Sequence, residues 1–270
     1  MRFPTPAVAA LAVPALLAAF STPVSAATLV ASYDFNDTLA AQQVAAPALA
    51  SIDPFGLNGF ESAAVNGQTR PVFAWYGSGQ DPTRNAGFSL DATGLVAYDH
   101  YSVALTFEFT EGARFGGGWR RILDTQNRQS DSGFYVNPAD RLEAVEIPLQ
   151  TPGNTRFATP GFHQVVLAVT PDGAHQRLEA YLDGQLELSA STDLFRLDNA
   201  NNPGHLLHFF VDNTGGGAQQ EYANGRIASL RLYDGTLVPS AIPEPATGAT
   251  MALGAMLLAG WARCRSRRAR

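Results

Sequence analysis

The sequence predicts an all-β protein, a sandwich of two antiparallel sheets, between two short apolar ends. Short runs of aliphatic, β-branched and aromatic residues follow one another from Ala27 to Val238, separated by Gly, Pro, Asn and Asp. No convincing long amphipathic helix interrupts these runs. Between two of them stands Asp183-Gly184, a strong hairpin signal because both central positions of a type I′ turn need positive φ.

The strands are predicted from period-two patterns and from the turn residues that bound them. The clearest is Ser102–Phe109, whose alternation over eight residues means one buried and one wetter face. The other predicted strands are Leu29–Phe35, Pro71–Tyr76, Gly87–Leu90, Arg120–Asp124, Gly133–Val136, Leu142–Ile147, His163–Val169, Arg177–Leu182, Leu186–Ser189, Leu206–Val211 and Arg226–Tyr233. About a dozen short strands in one unit favour a two-sheet sandwich.

Two further segments are predicted to be irregular. Pro171-Asp172-Gly173 is a turn in which Pro sets φ and Gly supplies the left-handed residue. The segment Ala40–Gly67 is rich in Ala, Gly and Pro and has poor periodicity, which predicts a loop with at most a short helical turn.

The N-terminus, residues 1–26, has the parts of a secretory signal. Arg2 precedes an apolar run from Ala7 to Phe20, and small residues follow it. Val24 and Ala26 suit the −3 and −1 positions, so we expect signal peptidase to cut after Ala26, with Ala27 as the second choice. The alternative is a retained anchor, but the run is short for a span of roughly 20 residues and contains Pro14.

The C-terminus, residues 239–270, has three parts in a fixed order. Pro243-Glu244-Pro245 is followed by an uncharged apolar stretch at 246–262 and by five arginines within 263–270. An apolar helix closed by cationic residues inserts with the arginines on the cytoplasmic side. This order resembles the PEP-CTERM sorting signal of Gram-negative, exopolysaccharide-producing bacteria. The resemblance implies cleavage near Pro243-Glu244-Pro245 by an exosortase-type membrane protease, whereas a plain tail anchor is the alternative.

The body between these ends, residues 27–238, is strongly acidic and has no cysteine. All 24 acidic residues lie between Asp34 and Glu244, and six of the 18 cationic residues lie at the two ends (Arg2 and five tail arginines), so in the exported part from Ala27 through Glu244, 12 arginines face 24 acids and the net charge is −12. Such a surface argues against nucleic-acid binding. The one cysteine, Cys264, lies in the arginine tail, so stability must come from the core.

Three segments of the body resemble the concanavalin A-like, laminin-G-like jelly rolls. Leu29–Leu39 is similar to their first strand, Glu179–Gln185 to their mid-chain hairpin, and Gly225–Leu237 to their last strand. The resemblance implies a jelly-roll sandwich in which the last strand pairs with the first. It also implies that functional groups lie on rim loops or in the groove of the concave sheet.

The best candidate ligand site is the polar segment that surrounds and follows the predicted strand Arg120–Asp124. It has more hydrogen-bonding side chains than a turn needs, and amide and guanidinium groups bind sugar hydroxyls well, with an aromatic ring to stack on a pyranose face. The alternative is a network that fixes a loop. The candidate residues are Trp119, Arg120, Arg121, Asp124, Asn127, Arg128 and Asp131.

A calcium ion is the cofactor that the sequence allows. Asp198 and Asn199, with Asp212 and Asn213 after the next predicted strand, offer closely spaced oxygen atoms, and calcium takes six to eight oxygen ligands. The alternative is that these residues form ordinary turns.

Catalysis has little support. The retaining β-glucanases of this superfamily carry a Glu-x-Asp-x-Glu strand, whereas Glu143 and Glu146 have the wrong spacing and Glu108 and Glu111 lack a third acid. We therefore predict a non-catalytic, exported surface or matrix protein that binds polysaccharide. A structural or adhesive protein that contacts other proteins is the alternative, and a glycoside hydrolase or lyase is the remote one.

Overall fold

A computed structural model describes residues 27–111, 116–147, 150–215 and 220–239. The predicted signal segment and the predicted sorting tail with its helix at 246–262 lie outside these residues. Within the described ranges, no helix is both long enough and apolar enough to cross a membrane.

Fourteen strands lie in the described parts of the chain. In chain order they are β1 Thr28–Tyr33, β2 Ala50–Ile52, β3 Gly59–Val65, β4 Gln68–Trp75, β5 Gly87–Asp91, β6 Tyr101–Phe109, β7 Arg120–Asp124, β8 Gly133–Val136, β9 Leu142–Val145, β10 His163–Asp172, β11 His175–Leu182, β12 Gln185–Thr192, β13 Leu206–Phe209 and β14 Gly225–Asp234. Two single 3-10 turns, Pro82–Arg84 and Gly116–Gly118, complete the described elements.

The strands form two antiparallel sheets. The large sheet has the order β12-β11-β10-β6-β14-β4-β3, and β1 also pairs with β14. The small sheet has the order β2-β5-β13-β7-β8-β9. This confirms the all-β class and the two-sheet sandwich.

The first and last strands are hydrogen-bonded neighbours. β1 runs antiparallel to β14, from Thr28 opposite Asp234 to Tyr33 opposite Leu230. Along most of its length β14 also pairs with β6, so the last strand lies inside the large sheet and is not an edge. The expectation that the final strand returns to the first is confirmed.

The hairpin predicted at Asp183-Gly184 joins β11 to β12. Both residues have positive φ, 48° and 84°, which is the backbone geometry that the type I′ signal predicts. Gly173 likewise has a φ of 65° in the turn between β10 and β11. These two turns were therefore predictable from local sequence.

The prediction of an irregular segment at Ala40–Gly67 is wrong in part, since β2 and β3 lie within it. β3 pairs along its whole length with β4, from Gly59 opposite Ala74 to Val65 opposite Gln68. It is an edge strand of the large sheet, and only Ala63 and Val65 are buried along it. Small alanines give little hydropathy contrast, so tertiary pairing defines this strand where periodicity does not.

The core between the sheets is built around aromatic rings. Phe210, directly after β13, stacks on Trp75 of the large sheet with ring centroids 3.9 Å apart. The same ring contacts Phe107 of the large sheet and Phe88 of the small sheet. The side chain of Phe210 therefore packs against both sheets in the core.

Candidate functional site

The small sheet has a polar face that points away from the core. In β8, Phe134 and Val136 belong to the core, so Tyr135 between them points to the opposite face. Tyr135 is nonetheless fully buried. Its hydroxyl donates to the backbone oxygen of Asp131 at 2.9 Å, which places the segment after β7 over this face.

Arg121 of β7 is the centre of this polar face, and its side chain is buried. Its Nε donates to the hydroxyl of Tyr135 at 2.5 Å, and its Nη1 donates to Asp124 at 2.7 Å. Its Nη2 donates to the backbone oxygen of Ser130 at 3.2 Å. All three nitrogens of the guanidinium therefore have partners inside the protein.

Asp124 shapes the loop that follows β7. One carboxylate oxygen accepts from Arg121, and the other accepts from the backbone N–H groups of Gln126 and Arg128. These bonds hold the loop where Asn127 and Arg128 take left-handed φ values of 50° and 60°. Such a conformation is unusual for residues other than glycine, so the buried carboxylate fixes the backbone of the loop.

Arg128 joins this loop to a distant part of the chain. Its Nε donates to the backbone oxygen of Asp212 at 2.7 Å, and its Nη2 donates to the backbone oxygen of Pro82 at 2.6 Å. The backbone N–H of Thr214 in turn donates to the backbone oxygen of Arg128. The segments that carry Asp131 and Asp212 are therefore held side by side.

Three carboxylates meet where these segments join. Oxygen atoms of Asp131, Asp212 and Glu221 all lie within 4.8 Å of one another. We call these three residues the acid cluster. Asp212 accepts from the backbone N–H groups of Asn213 at 2.8 Å and of Glu221 at 2.9 Å.

Keeping all three carboxyl groups of the acid cluster ionised is unfavourable. Burial, followed by the negative charges of Asp131 and Asp212, raises the pKa of Glu221 to about 8. Burial also raises the pKa of Asp212. Like charges this close in a buried place disfavour each other. The guanidinium of Arg121, 3.7 Å from Asp131 and 3.8 Å from Asp212, offsets part of this repulsion.

Trp119 is the partly exposed aromatic residue beside this network. Its ring meets that of Tyr135 edge to face, with centroids 5.7 Å apart. Glu143 of β9 is the cross-strand partner of Tyr135 and lies on the same face, partly exposed. Trp119 and Glu143 thus offer an aromatic ring and a carboxylate at the outer surface of the small sheet.

The structure brings most of the predicted ligand-binding residues together, but it buries several of them. Arg121 and Asp124 have no exposed surface on their side chains and cannot contact a surface ligand, which corrects their predicted role. Arg120 leaves the group altogether, since its guanidinium donates to Thr159 and Asp140. The reason is that strand alternation points Arg120 to the core side, where it lies over the Phe109 ring.

The residues that were predicted to bind calcium fall into two separate groups in the structure. Both carboxylate oxygens of Asp198 accept from Arg196, at 2.9 and 2.8 Å, and Asn199 donates to the backbone oxygens of Thr125 and Arg196. These two residues form local turns, whereas Asp212 joins the acid cluster. The grouping of Asp198 and Asn199 with Asp212 and Asn213 is therefore corrected.

Glu221 was not predicted from the sequence. It is a single acid ahead of β14, and the nearest other acids in the sequence, Asp212 and Asp234, are nine and thirteen residues away. It reaches the acid cluster because its backbone N–H is held by Asp212. That contact is tertiary, so no local pattern could have shown it.

No protein-family model and no curated protein matches this sequence. Among solved structures, the chain is similar to Trypanosoma rangeli sialidase in complex with 2,3-difluorosialic acid, with a TM-score of 0.45 and 14% identity over 71% of this chain and 31% of that one. It is also similar to the binding domain of botulinum neurotoxin serotype D, with a TM-score of 0.46 and 11% identity over 80% and 50%.

A third similar structure is that of botulinum neurotoxin type C, whose cell entry depends on interaction with two ganglioside molecules. Its TM-score is 0.49, with 10% identity over 80% of this chain and 49% of that one. The chain thus spans 31% to 50% of the length of these three structures. At these TM-scores the likenesses carry no argument about function.

Proposed function

We propose that this protein is an exported, non-catalytic surface or matrix protein with a concanavalin A-like jelly-roll body, and that it binds polysaccharide at Trp119. The observation that supports this most directly is the partly exposed Trp119 ring, which packs on Tyr135 on the same outer face of the small sheet that carries Glu143. A ring that is held edge to face by Tyr135 can offer an apolar surface to a pyranose. A carboxylate on the same face accepts hydrogen bonds from sugar hydroxyls.

The buried network makes this surface rigid. Tyr135, against which Trp119 packs, is held by Arg121 and by Asp131. Asn137 donates to Glu143 at 2.8 Å and so orients its carboxylate. A side chain that is ordered before binding loses less conformational entropy on association, which favours affinity.

Glycan binding by the processed protein tests this function. We expect binding on a glycan array and to exopolysaccharide from the producing cells, and we expect Trp119→Ala to weaken it by about tenfold, close to 1.4 kcal/mol. Phe55→Ala is the matched control, because Phe55 is an exposed aromatic far along the chain, in the loop between β2 and β3. The proposal fails if no glycan binds, or if the two variants bind equally well.

Export and processing form the second part of the proposal. The sequence supports cleavage after Ala26 by signal peptidase and near Pro243-Glu244-Pro245 by an exosortase-type protease, after transient membrane insertion of 246–262. The product would reside at the cell surface, in the outer membrane or in the extracellular matrix. Intact mass spectrometry of protein from cells and medium should show a chain that begins at Ala27 and lacks the arginine tail; full-length mass in both fractions would contradict it.

A protein-contacting role is the second candidate. Phe55, Leu57 and Phe60 are large apolar residues with exposed side chains, in and beside the loop that leads into the edge strand β3, and Leu57 is 61% exposed. Apolar side chains grouped in one segment indicate a contact surface. Concentration-dependent association that Leu57→Ser abolishes would support this role.

A further inference from the structure

The sequence contains three Asn-Gly pairs, Asn58-Gly59, Asn66-Gly67 and Asn224-Gly225. In such a pair the backbone nitrogen of the glycine can attack the Cγ atom of the asparagine side chain, because a glycine has no Cβ to obstruct the approach. The sequence makes the three pairs chemically alike. The structure places them in different surroundings, and the side-chain hydrogen bonds of each asparagine show the difference.

Asn58 is held by its side chain. Its Nδ2 donates to Ser51 Oγ at 3.1 Å and to the backbone oxygen of Ile52 at 3.0 Å. Its Oδ1 accepts from the backbone N–H of Tyr76 at 3.1 Å. These bonds join the residue before β3 to β2 and to the end of β4, so the amide group cannot turn toward the nitrogen of Gly59 without breaking them.

Asn224 is held in the same way. Its Nδ2 donates to Glu111 Oε1 at 2.9 Å. Its Oδ1 accepts from the backbone N–H of Gly77 and from the hydroxyl of Tyr222, both at 2.9 Å. The glycine of this pair is also enclosed, because a Cβ added at Gly225 would lie 2.4 Å from a backbone oxygen of β6. The side chain of Asn224 therefore has neither the freedom nor the space to react.

Asn66 lies at the tip of the hairpin between β3 and β4, which the pairing of Val65 with Gln68 closes. Both residues of the turn, Asn66 and Gly67, are exposed, with positive φ values of 49° and 77°. The side-chain amide of Asn66 has no hydrogen-bond partner among the described residues. A Cβ added at Gly67 would have no heavy atom of the described chain within 4 Å, so the space around its nitrogen is open.

We propose that Asn66 is a site of spontaneous deamidation, and that the fold protects Asn58 and Asn224. The backbone nitrogen of Gly67 forms a bond to the Cγ atom of Asn66 and gives up its proton. The side-chain nitrogen takes that proton and leaves as ammonia, so a five-membered succinimide remains. Water then opens the ring at one of its two carbonyl groups, giving either an aspartate or an isoaspartate. Water is the one co-reactant that the step needs.

The two products differ in their effect on the hairpin. Aspartate tolerates the left-handed backbone nearly as well as asparagine does, so this product keeps the turn and adds one negative charge. Isoaspartate adds one carbon to the backbone between Val65 and Gln68, so the closing pair loses its register. Among the described strands β3 pairs with β4 alone, and its buried side chains are Ala63 and Val65. The change therefore loosens an edge strand, far from Trp119, and the inference does not depend on polysaccharide binding.

Peptide mapping by mass spectrometry tests this site during storage of the protein at neutral pH, folded and in urea. In the folded protein, deamidation at Asn66 should be about tenfold or more faster than at Asn58 or Asn224, since breaking two or more ordinary hydrogen bonds has about that effect. In urea, where these bonds are lost, the three asparagines should react at similar rates. Asn58 and Asn224 thus serve as matched controls within the same chain.

Two variants check the chemistry and the protection. Asn66→Gln should lose the modification, because a glutamine would have to form a larger ring. Tyr222→Phe removes one hydrogen bond from Asn224 and should speed its deamidation in the folded protein, while the rate at Asn66 stays the same. The proposal is overturned if the folded protein deamidates equally at all three pairs, if Asn58 or Asn224 reacts faster than Asn66, or if the difference persists in urea, which would mean that neighbouring residues and not the fold set the rates.

Discussion

His208 lies in β13 on the polar face of the small sheet, and its ring is almost fully buried. Its Nε2 is 3.2 Å from Asn127 Oδ1, and its Nδ1 has no hydrogen-bond partner within the described parts of the chain. Burial, and then the positive charges of Arg128 and Arg121, lower the pKa of His208 to about 4. The neutral imidazole is therefore the form that the folded protein accommodates.

Acid should destabilise the protein through His208. In the unfolded chain a histidine takes up a proton near pH 6.5, whereas the folded protein resists this until about pH 4. Above pH 6.5 the neutral ring makes its full contribution to the free energy of unfolding. As the pH falls from 6.5 to 4, the free energy of unfolding decreases by about 2 to 3 kcal/mol, because the unfolded chain takes up a proton that the folded protein does not. Urea unfolding at several pH values should show a flatter pH dependence for His208→Gln than for the parent.

His175→Gln is the control for this measurement, because the His175 side chain is 62% exposed. The free energy of unfolding of His175→Gln should change with pH between 6.5 and 4 as that of the parent does. If His208→Gln and the parent lose stability in parallel over this range, the burial of a neutral His208 does not govern acid sensitivity.

Single residues in the site were only partly predictable. The polar segment 119–131 stands out in the sequence because it carries more hydrogen-bonding groups than a turn needs. Which of these groups face water depends on strand alternation and on what covers the sheet, and that placed Arg121 and Asp124 inside. Sequence shows which residues are polar but not which of them are covered.

At the level of the strands, β14 needs a glycine at its first position. Gly225 lies opposite both Trp75 of β4 and Phe109 of β6. A Cβ at this position would lie 2.4 Å from the backbone oxygen of Glu108 and 2.4 Å from the indole of Trp75. Neither a backbone carbonyl nor a ring in the core can easily move away.

Gly225→Ala should therefore destabilise the fold by about 3 kcal/mol, the upper part of the range for overpacking. The urea midpoint of unfolding measures this. Gly59→Ala is the matched control, because Gly59 also begins a strand of the same sheet, but a Cβ added there would have no heavy atom of the described residues within 4 Å. Equal midpoints for the two variants would show that the sheet relaxes around the added methyl group.

The strands were largely predictable, and the exceptions have a common cause. β7 and β8 have the bounds that the sequence predicts, and most others differ by a few residues at the ends. Alternation and turn residues are local signals, so they are visible in the sequence. β2 and β3 lacked them, since β2 has only three residues and β3 is a mostly exposed edge strand whose pairing with β4 defines it.

For the molecule as a whole, Phe210 is one of the residues whose rings join the two sheets, as the contact of Phe73 with Phe88 also does. It is fully buried, has a left-handed φ of 65°, and contacts aromatic rings from both sheets. Because alanine would keep the strained φ and remove the ring, Phe210→Ala should combine a cavity with an unrelieved backbone cost.

We expect Phe210→Ala to lower the free energy of unfolding by about 3 to 5 kcal/mol. Unfolding followed by tryptophan fluorescence and by far-ultraviolet circular dichroism should give coincident transitions. Phe60→Ala provides the comparison, since Phe60 packs on Phe73 from a partly exposed position on the edge strand and should cost about 1 kcal/mol. A similar loss for both variants would mean that the core does not centre on Phe210.

By itself, the sequence determined the β class, most of the strands, the two tight turns and the acidic, disulfide-free body, because period, turn chemistry and composition are properties of neighbouring residues. The tertiary structure alone decided the acid cluster. Asp131, Asp212 and Glu221 come from separate segments, and they meet only because β7, β8 and β13 lie in one sheet beside the start of β14. Contacts between residues so far apart along the chain depend on how the sheets pair and pack, and no local pattern records that.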